Sequence, residues 1–462
     1  MKKLLGSTLA LALFVPASAN AELLKNLKVG GQLDVQTTSA ENVADQVTRG
    51  AGNHDHIGSA YSRAMLKIDW DLLDDVHARL SIVKGAGNLG TGPRIYGNGS
   101  ESVQTAALTT TFVSEANVKI DKLFGFTDLT LGRQYFGEAG DLIVYYGPRD
   151  NYGMSVTALD AGRFDWNGES VSVTGVVGKV DTAGTNTLAP ADGAVDLRGL
   201  VVSCNKNENV KGSLYVYNAL THNTGDIGAA NGKNTNLYVF GLKSKFTFGG
   251  LMASAELAKN MGEDRSTANE HENFKGYALL AKVAYKADLQ DVGAFTPWGE
   301  FGYGTGDSAA GTKGNGNRFF QSINSDYRPG GIYGRFDRNA SYQLGNSNVF
   351  SSNGLTNRII WGFGFKATPA ALDKLTMGLA FYKYNFHTRV QDHNTPGTNV
   401  ADSRSIGSEY DLTTEWKHSE NVSIKGTLGS FQNGMYIKQT KSIASAGNNP
   451  VTMAALDFSI KF

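Results

Sequence analysis

The feature of this sequence that most restricts its fold is a repeated run of about ten residues in which apolar and polar side chains alternate. The run at 63–72 carries Ala64, Leu66, Ile68, Trp70 and Leu72 on one face and Arg63, Met65, Lys67, Asp69 and Asp71 on the other. The same split recurs at 277–287, 358–366 and 409–417. Side chains of a β-strand point alternately to opposite faces, so the sequence predicts strands with one apolar and one charged face.

Alternation alone does not separate a soluble β-sandwich from a membrane barrel, because both have strands with one apolar face. Three features favour the barrel. Candidate strands continue along the whole chain without a helical period, and the last residues form an alternating run that ends at Phe462. Aromatic residues lie at the ends of the runs, where interfacial girdles of membrane barrels lie: Trp70, Tyr285, Trp361, Tyr384 and Trp416.

The length of the apolar segments indicates which kind of structure could span the membrane. After Val15 no segment is continuously apolar for ten residues, whereas a spanning helix needs about 20. A closed barrel is the other structure that satisfies every backbone N–H and C=O in lipid. The start of the chain reads as a secretory signal, with Lys2 and Lys3 before a short apolar core and a cleavage site at 19–21. We therefore expect a signal peptide at 1–21 and one barrel domain at 22–462, in the outer membrane of a Gram-negative bacterium.

The number of strands is predicted from the spacing of the runs. Single-chain bacterial barrels have even strand numbers, so we expect 18 strands, with 16 as the alternative. The candidates begin near Leu27, Arg63, His77, Thr109, Phe126, Gly153, Val171, Asp196, Ser213, Asn236, Leu251, Tyr277, Phe295, Arg358, Leu375, Ser408, Val422 and Thr452. The longest irregular stretch, 304–357, is polar and rich in glycine, and we expect an outer loop that folds over or into the pore.

Charge and composition exclude several classes of function. The chain has 43 basic and 43 acidic residues, which gives no general attraction to nucleic acid. Its one cysteine, Cys204, excludes an internal disulfide or a cysteine metal cluster. Asn53-His54-Asp55-His56 lacks the spacing of a known metal site and is predicted to be an exposed loop tip. No nucleophile elbow or phosphate-binding glycine loop is present, so we expect no enzyme and no cofactor.

Several segments resemble the alginate-export family of outer-membrane porins. They are 129–134 with Asp141 and 163–166, then Pro297 and 300–307 with 319–320 and 326–327, and finally 407–412 with 429–431 and 434–436. The resemblance implies an 18-stranded monomeric barrel with a narrow lumen, lined by basic residues and selective for anions. It places Arg133, Arg163 and Asp165 in the constriction and Glu409 and Asp411 in the last hairpins. Strict alternation puts Arg133 on the face of Leu129 and Leu131, unless Gly132 forms a bulge.

Charged residues on the polar strand faces are the candidate pore-lining residues. Besides those implied by the resemblance, they are Arg63, Lys67, Arg79, Lys282, Lys286, Arg358 and Lys425. One interpretation is an electropositive lumen that selects anions. The other is that these cations pair across the lumen with Asp69, Asp71, Glu256, Glu300, Glu409, Asp411 and Glu415, which keeps a wet interior soluble. Both interpretations remain open at this stage.

The predicted function is a porin that passes or exports small hydrophilic solutes, with anionic sugars such as alginate-like uronates as candidates. The expected partners are outer-membrane lipid, lipopolysaccharide and the solute, with no nucleic acid. A monomer is expected and a trimer is the alternative. Two other functions stay open: a surface adhesin or receptor anchored by the barrel, and an outer-membrane hydrolase. The sequence leaves the solute, the direction of transport and the pore diameter undetermined.

Overall fold

The structure is a computed structural model of the full chain. It describes residues 26–42, 56–84, 111–180, 195–207, 209–222, 234–265, 272–307, 317–336, 354–389, 403–440 and 449–462. The predicted signal peptide, residues 1–21, and residues 53–55 of the histidine-containing stretch lie outside this description. Within the described residues, no helix is long and apolar enough to cross a membrane.

Eighteen long strands make up the described part of the wall. In chain order they are β1 Lys28–Glu41, β2 His56–Leu73, β3 Val76–Lys84, β4 Thr111–Leu123, β5 Thr127–Gln134, β6 Leu159–Asn167, β7 Val171–Val180, β8 Val195–Asn207, β9 Val210–Thr221, β10 Thr235–Phe248, β11 Leu251–Asp264, β12 Tyr277–Tyr285, β13 Gly293–Gly304, β14 Arg358–Pro369, β15 Leu375–Asn385, β16 Ser405–Ser419, β17 Val422–Asn433 and β18 Val451–Lys461. Short strands Glu272–Asn273 and Ala287–Leu289 flank β12, and three short helices lie between strands, at Tyr333–Phe336 (α1), Met435–Thr440 (α2) and Ala370–Leu372 (3₁₀).

The strands form one closed antiparallel barrel. Each strand pairs with its neighbours in sequence, and β1 closes the barrel by pairing with β18, with Gln32 opposite Lys461 and Glu41 opposite Thr452. Tight turns join the strands at one end, and the long connections lie at the other. Outer-membrane barrels have short periplasmic turns and long extracellular loops, so the end with the tight turns is the periplasmic end. The predicted 18-stranded antiparallel barrel is confirmed.

The two faces of the wall differ as the alternation predicts. Large apolar side chains are exposed on the outward face, among them Leu66, Leu131, Phe164, Val177, Leu200, Leu214, Phe240, Leu257, Val283, Phe363, Leu379, Leu412, Leu428 and Leu456. An apolar band of this extent belongs in lipid rather than in water. Arg63, Glu409 and Asp411 point inward and are buried.

Among the described residues, the β5–β6 and β13–β14 connections fold into the lumen on its extracellular side. Loop A is residues 135–158, between β5 and β6; loop B is the described part of the β13–β14 connection, residues 305–307, 317–336 and 354–357. The two loops pair with each other, because Val144 and Asn324 form a parallel bridge. Their apolar residues, including Leu142, Phe320, Ile332 and Leu355, are buried. The hydrophobic core of the protein therefore lies inside the barrel, between loops and wall.

Most predicted strands begin within three residues of their observed starts; the second and sixth are the exceptions. The sixth prediction was wrong because Gly153 lies in loop A, and β6 begins only at Leu159. The inward path of the 304–357 connection is confirmed for its described residues. Tyr384 was predicted in an outer aromatic girdle, but it lies on the inward face and is fully buried, because it shares the parity of Tyr382. Its hydroxyl donates to Glu409 at 2.9 Å.

Candidate solute pathway

Loops A and B are joined by a buried ion pair. Arg149 Nη1 lies 2.9 Å from Asp326 Oδ1, and both side chains are 1% exposed. The same guanidinium donates to the carbonyl oxygens of Tyr145 and Ser325. Gly140 N–H donates to the other carboxylate oxygen of Asp326 at 2.9 Å. Buried charges are tolerated when paired and hydrogen-bonded in this way, so this cluster fixes the loops relative to each other.

A second buried cation fixes loop A to the wall. Arg63 of β2 forms an ion pair with Asp34 of β1 at 2.7 Å. Its Nη1 also donates to the carbonyl oxygens of Arg149 and Met154 in loop A. Arg63 was predicted to line the pore; its side chain is 2% exposed and holds the loop instead.

Two acidic residues fix loop B. Glu409 accepts hydrogen bonds from the backbone N–H groups of Ile332 and Tyr333, at 2.5 and 3.1 Å. Asp411 accepts one from Gly331 N–H at 2.8 Å. We expected these carboxylates to pair with lumen cations, and in the structure they bind the backbone of loop B. A carboxylate that accepts several N–H bonds is well satisfied without a cation.

The tip of loop A, residues 138–141, contacts the wall through one exposed and one half-buried ion pair. Lys243 and Lys245 of β10 bind Asp141 and Glu138, and the Lys245–Glu138 distance is 2.9 Å. Hydrogen bonding from Lys245 is the main cause that lowers the pKa of Glu138. Glu138 is exposed, so these contacts are weaker than the buried pairs of Arg149 and Arg63.

A cavity of about 840 Å³ lies under loop B. Six of its lining residues are acidic; four of them are held by close contacts, while Asp150 and Glu415 lie 3.8 and 4.0 Å from Arg63 and Lys417. Asp34 binds Arg63, Asp326 binds Arg149 and Arg328, and Asp457 binds Arg335 at 2.6 Å. Glu300 binds Lys282 at 3.3 Å and accepts from Tyr327 Oη at 2.7 Å. Burial raises the pKa of Tyr327, and the Glu300 carboxylate raises it further, so the phenol remains a donor.

Three lysines that line this cavity are not paired. Lys366, Lys425 and Lys461 have no carboxylate oxygen within 4.0 Å of Nζ among the residues that the structure describes. They lie in the periplasmic half of β14, β17 and β18. Thr376, Thr413 and Ser423 add hydroxyl groups to the same surface. The cavity therefore presents free ammonium groups to a solute, whereas most of its carboxylates are occupied.

A second cavity of about 330 Å³ lies between loop A and the wall of β6 to β11. Arg163 lines it and pairs with its strand neighbour Asp165 at 2.7 Å. The Arg163 guanidinium also lies 6.0 Å from the centre of the Phe136 ring. The resemblance placed Arg163 and Asp165 at the constriction; the structure places both on the inward face beside loop A.

The remaining predicted cations occupy different places. Arg79 and Lys67 face inward and share Asp69, at 2.7 and 3.4 Å. Lys286 lies at the periplasmic end of β12 and binds Asp288 at 3.1 Å, so it is not part of either cavity. Arg358 is fully buried, donates to Tyr333 Oη at 2.7 Å and lies 4.8 Å from the Phe386 ring centre.

Arg133 does not face the lumen. Gly132 has a φ of +118°, yet the pairing of β5 with β4 and β6 continues across it without a shift of register. Arg133 therefore keeps the parity of Leu131 and points outward, where it binds Asp160 at 2.7 Å. This corrects the placement implied by the family resemblance.

The sequence reasoning missed the residues that organise the lumen most strongly. Arg149 and Asp326 lie in loops, where no alternation marks the inward direction. Lys366 was on the predicted polar face of its strand, and Lys461 on that of the last strand, but neither was selected. The apolar run 142–146 inside a glycine-rich segment was a usable signal for loop A, because a run of this kind outside a strand needs a buried partner.

The fold is shared with solved outer-membrane structures. OpdK, an outer membrane protein of Pseudomonas aeruginosa, matches with a TM-score of 0.56 and 10% identity, over 95% of this chain and 99% of that chain. OccAB2 of Acinetobacter baumannii matches with a TM-score of 0.56 and 10% identity, over 96% and 99%. OccK2 (OpdF) of P. aeruginosa, solved in complex with glucuronate, matches with a TM-score of 0.54 and 12% identity, over 95% and 99%. No protein-family model and no curated protein matches the chain.

At these identities the likeness concerns the fold. The wall is a closed barrel of 18 strands with a polar lumen and an apolar outward band. Such a wall requires a lipid bilayer around it. The chain is a β-barrel of the Gram-negative outer membrane.

Proposed function

We propose that this protein is an outer-membrane channel through which small hydrophilic solutes pass down their gradients, with anions preferred. The observation that carries the proposal is the charge state of the 840 Å³ cavity. Lys366, Lys425 and Lys461 face it without an ion pair to any residue that the structure describes, whereas Asp34, Glu300, Asp326 and Asp457 are each bound by a cation.

Free ammonium groups in a confined aqueous space favour anions for two reasons. They raise the local concentration of anions, because low-dielectric walls concentrate their field. They also offer up to three hydrogen-bond donors each to a carboxylate, while the occupied acids repel it little. Pairing and selectivity thus coexist in this lumen: most predicted cations are paired, and a small unpaired set defines the preference.

Sugar acids are the first solutes to test. OccK2, which shares the fold, was solved in complex with glucuronate. Uronates, the units of alginate-like polymers, combine a carboxylate for the free lysines with hydroxyls for Thr376, Thr413 and Ser423. The proposal covers the class of small hydrophilic anions, with sugar acids as its preferred members.

The test is single-channel recording in planar bilayers with a salt gradient across the membrane. We expect discrete current steps and a reversal potential of the sign that indicates anion preference. The triple variant Lys366→Gln, Lys425→Gln, Lys461→Gln should move the reversal potential toward cation preference. A control triple variant, Lys286→Gln, Lys374→Gln, Lys417→Gln, removes the same charge at the periplasmic ends of strands and should move it little.

Three outcomes of this recording would contradict different parts of the proposal. Current steps with cation preference in the wild type would retain the channel and contradict the anion preference. An equal shift in the two triple variants would show that total charge, rather than the cavity lysines, sets selectivity. Protein that inserts correctly but gives no current steps would contradict the channel itself and favour a barrel-anchored adhesin or receptor.

A further inference from the structure

The inner wall of β13 to β15 carries two aromatic residues next to the free lysine Lys366. Trp298 of β13 has the inward parity of Glu300, and Tyr382 of β15 lines the 840 Å³ cavity. Their ring centres are 5.7 Å apart, although the whole strand β14 lies between them. All five tryptophans fall within the described residues, and Trp70, Trp166, Trp361 and Trp416 have the outward parity of their strands.

Two glycines of β14 allow the rings to meet. Gly362 lies between Glu300 and Tyr382 in register, and Gly364 lies between Trp298 and Ala380. A Cβ added at Gly362 would be 2.5 Å from Tyr382 Cε1 and 3.4 Å from Trp298 Cζ3. At Gly364 it would be 3.0 Å from Trp298 Cζ2. The rings therefore lie over the glycines, against the wall, with their planes inclined by 43° to each other. Both are half-buried, and Tyr382 lines the cavity.

The edge of this aromatic platform is polar. The next inward row toward the periplasm contains Thr296, Lys366, Gly378 and Thr413, one per strand from β13 to β16. Inward residues two apart along a strand are separated by about 7 Å, and adjacent strands by about 5 Å. Thr296 and Lys366 therefore lie about 7–9 Å from Trp298 along the wall, and Lys366 lines the same cavity as Tyr382.

We propose that Trp298 and Tyr382 form a stacking site for the pyranose ring of a sugar or sugar acid. This inference rests on the proposed channel function and adds ring recognition to it. A pyranose has an apolar C–H face and a polar edge of hydroxyls. The aromatic platform matches the face, Thr296 matches the edge, and Lys366 meets the carboxylate when there is one. Open-chain solutes of equal charge have no flat face to stack.

The test compares two monoanions of similar size in the full-length mature channel. Glucuronate has a ring, and gluconate is an open chain. We expect glucuronate to block the ion current with roughly tenfold higher affinity than gluconate, which is the scale of a good aromatic contact. In Tyr382→Leu and in Trp298→Leu the ratio should fall toward one. Phe363→Leu removes an outward aromatic of the same wall and should keep the wild-type ratio.

Tryptophan fluorescence of the wild-type protein is a second test, and it needs no variant. The part of acrylamide quenching that a solute in the lumen changes should report on Trp298, because the other four tryptophans have the outward parity of their strands. Glucuronate and methyl glucoside should protect Trp298 from acrylamide, and gluconate should not. Equal block by glucuronate and gluconate, or no ring-dependent protection, would overturn the stacking site while leaving the channel intact. Loss of the channel function would instead appear as the absence of current steps without any solute.

Discussion

The charges of this lumen fall into two groups that differ in burial. The first group holds the inward loops: Arg149 and Asp326 are each 1% exposed, and Arg63 is 2% exposed. The second group faces water, either as the free lysines of the large cavity or as exposed pairs such as Lys245–Glu138. Breaking a buried pair leaves an uncompensated charge without water, whereas an exposed charge remains solvated. The first group should therefore set the shape of the pathway and the second its selectivity.

The largest effect is expected from Arg149→Met. The substitution leaves Asp326 buried and paired only with Arg328, and should cost about 3–5 kcal/mol of stability, the usual range for breaking a buried ion pair. Thermal denaturation in detergent measures it as a lowered unfolding temperature. The matched control is Arg133→Met, which removes an ion pair on the outward face and should cost about 0–1 kcal/mol. Equal costs would contradict the division of the charges by burial.

An effect of comparable size is expected from Glu409→Ala. The change leaves the N–H groups of Ile332 and Tyr333 without their acceptor, and each unsatisfied buried donor costs about 1–3 kcal/mol. Loop B should then be less tightly fixed, which should appear as noisier single-channel current as well as a lower unfolding temperature. Glu415→Ala, on the same strand and face but half-exposed, is the control and should change neither quantity. An unchanged current in Glu409→Ala would show that the other contacts of loop B, such as the Arg335–Asp457 pair and the apolar core, are sufficient to fix it.

The sequence predicted those parts of the molecule that depend on local alternation, which are the strands and the exposed charges. Strands were predictable because alternation is local: it needs only neighbouring residues such as Leu66 and Lys67. Each strand of the barrel has this alternation, so most predicted strand starts were correct to within three residues. The exposed, cavity-facing charges follow from the same parity, which is why Lys282 and Lys425 were correctly assigned to the inward face.

The buried group was not predictable in this way. Arg149 and Asp326 are 177 residues apart and lie in irregular loops, so their contact depends on how both loops enter the lumen. Glu409 and Asp411 were placed on the correct face, but their partners are backbone N–H groups, which no side-chain pattern reports. Arg133 shows the opposite case: alternation gave the correct outward direction, and the family resemblance gave the wrong one.

The free lysines should contribute little to stability. In the triple variant Lys366→Gln, Lys425→Gln, Lys461→Gln, we expect an unfolding free energy within about 0.5 kcal/mol of wild type, because no described ion pair is lost. The same thermal denaturation experiment measures it. A large loss of stability would show that these lysines hold the wall together. Exposed charges would then also have a structural role, and burial alone would not divide the two groups.

The smallest effect is expected at the tip of loop A, where the exposed Lys245–Glu138 pair lines the smaller cavity. Hydrogen bonding from Lys245 lowers the pKa of Glu138 below its ordinary value of 4.5. A lowered carboxyl pKa means that the contact is fully present above the ordinary value and is lost only as the pH falls through the lowered one. Channel conductance should therefore stay constant from neutral pH down to 4.5 and change below it, as the tip loses its contact with β10.

Lys245→Met tests this assignment. Without the Lys245 hydrogen bond the pKa of Glu138 should rise toward its ordinary value, so the low-pH change in conductance should begin at a higher pH than in wild type. Lys243 still faces Glu138 at 3.5 Å, so the shift should be small. Lys211→Met, which removes a lysine of the same cavity that has no described ion pair, should leave the pH profile unchanged. If Lys245→Met and Lys211→Met give the same profile, the tip is held by the rest of loop A, and its exposed charges act on the solute only.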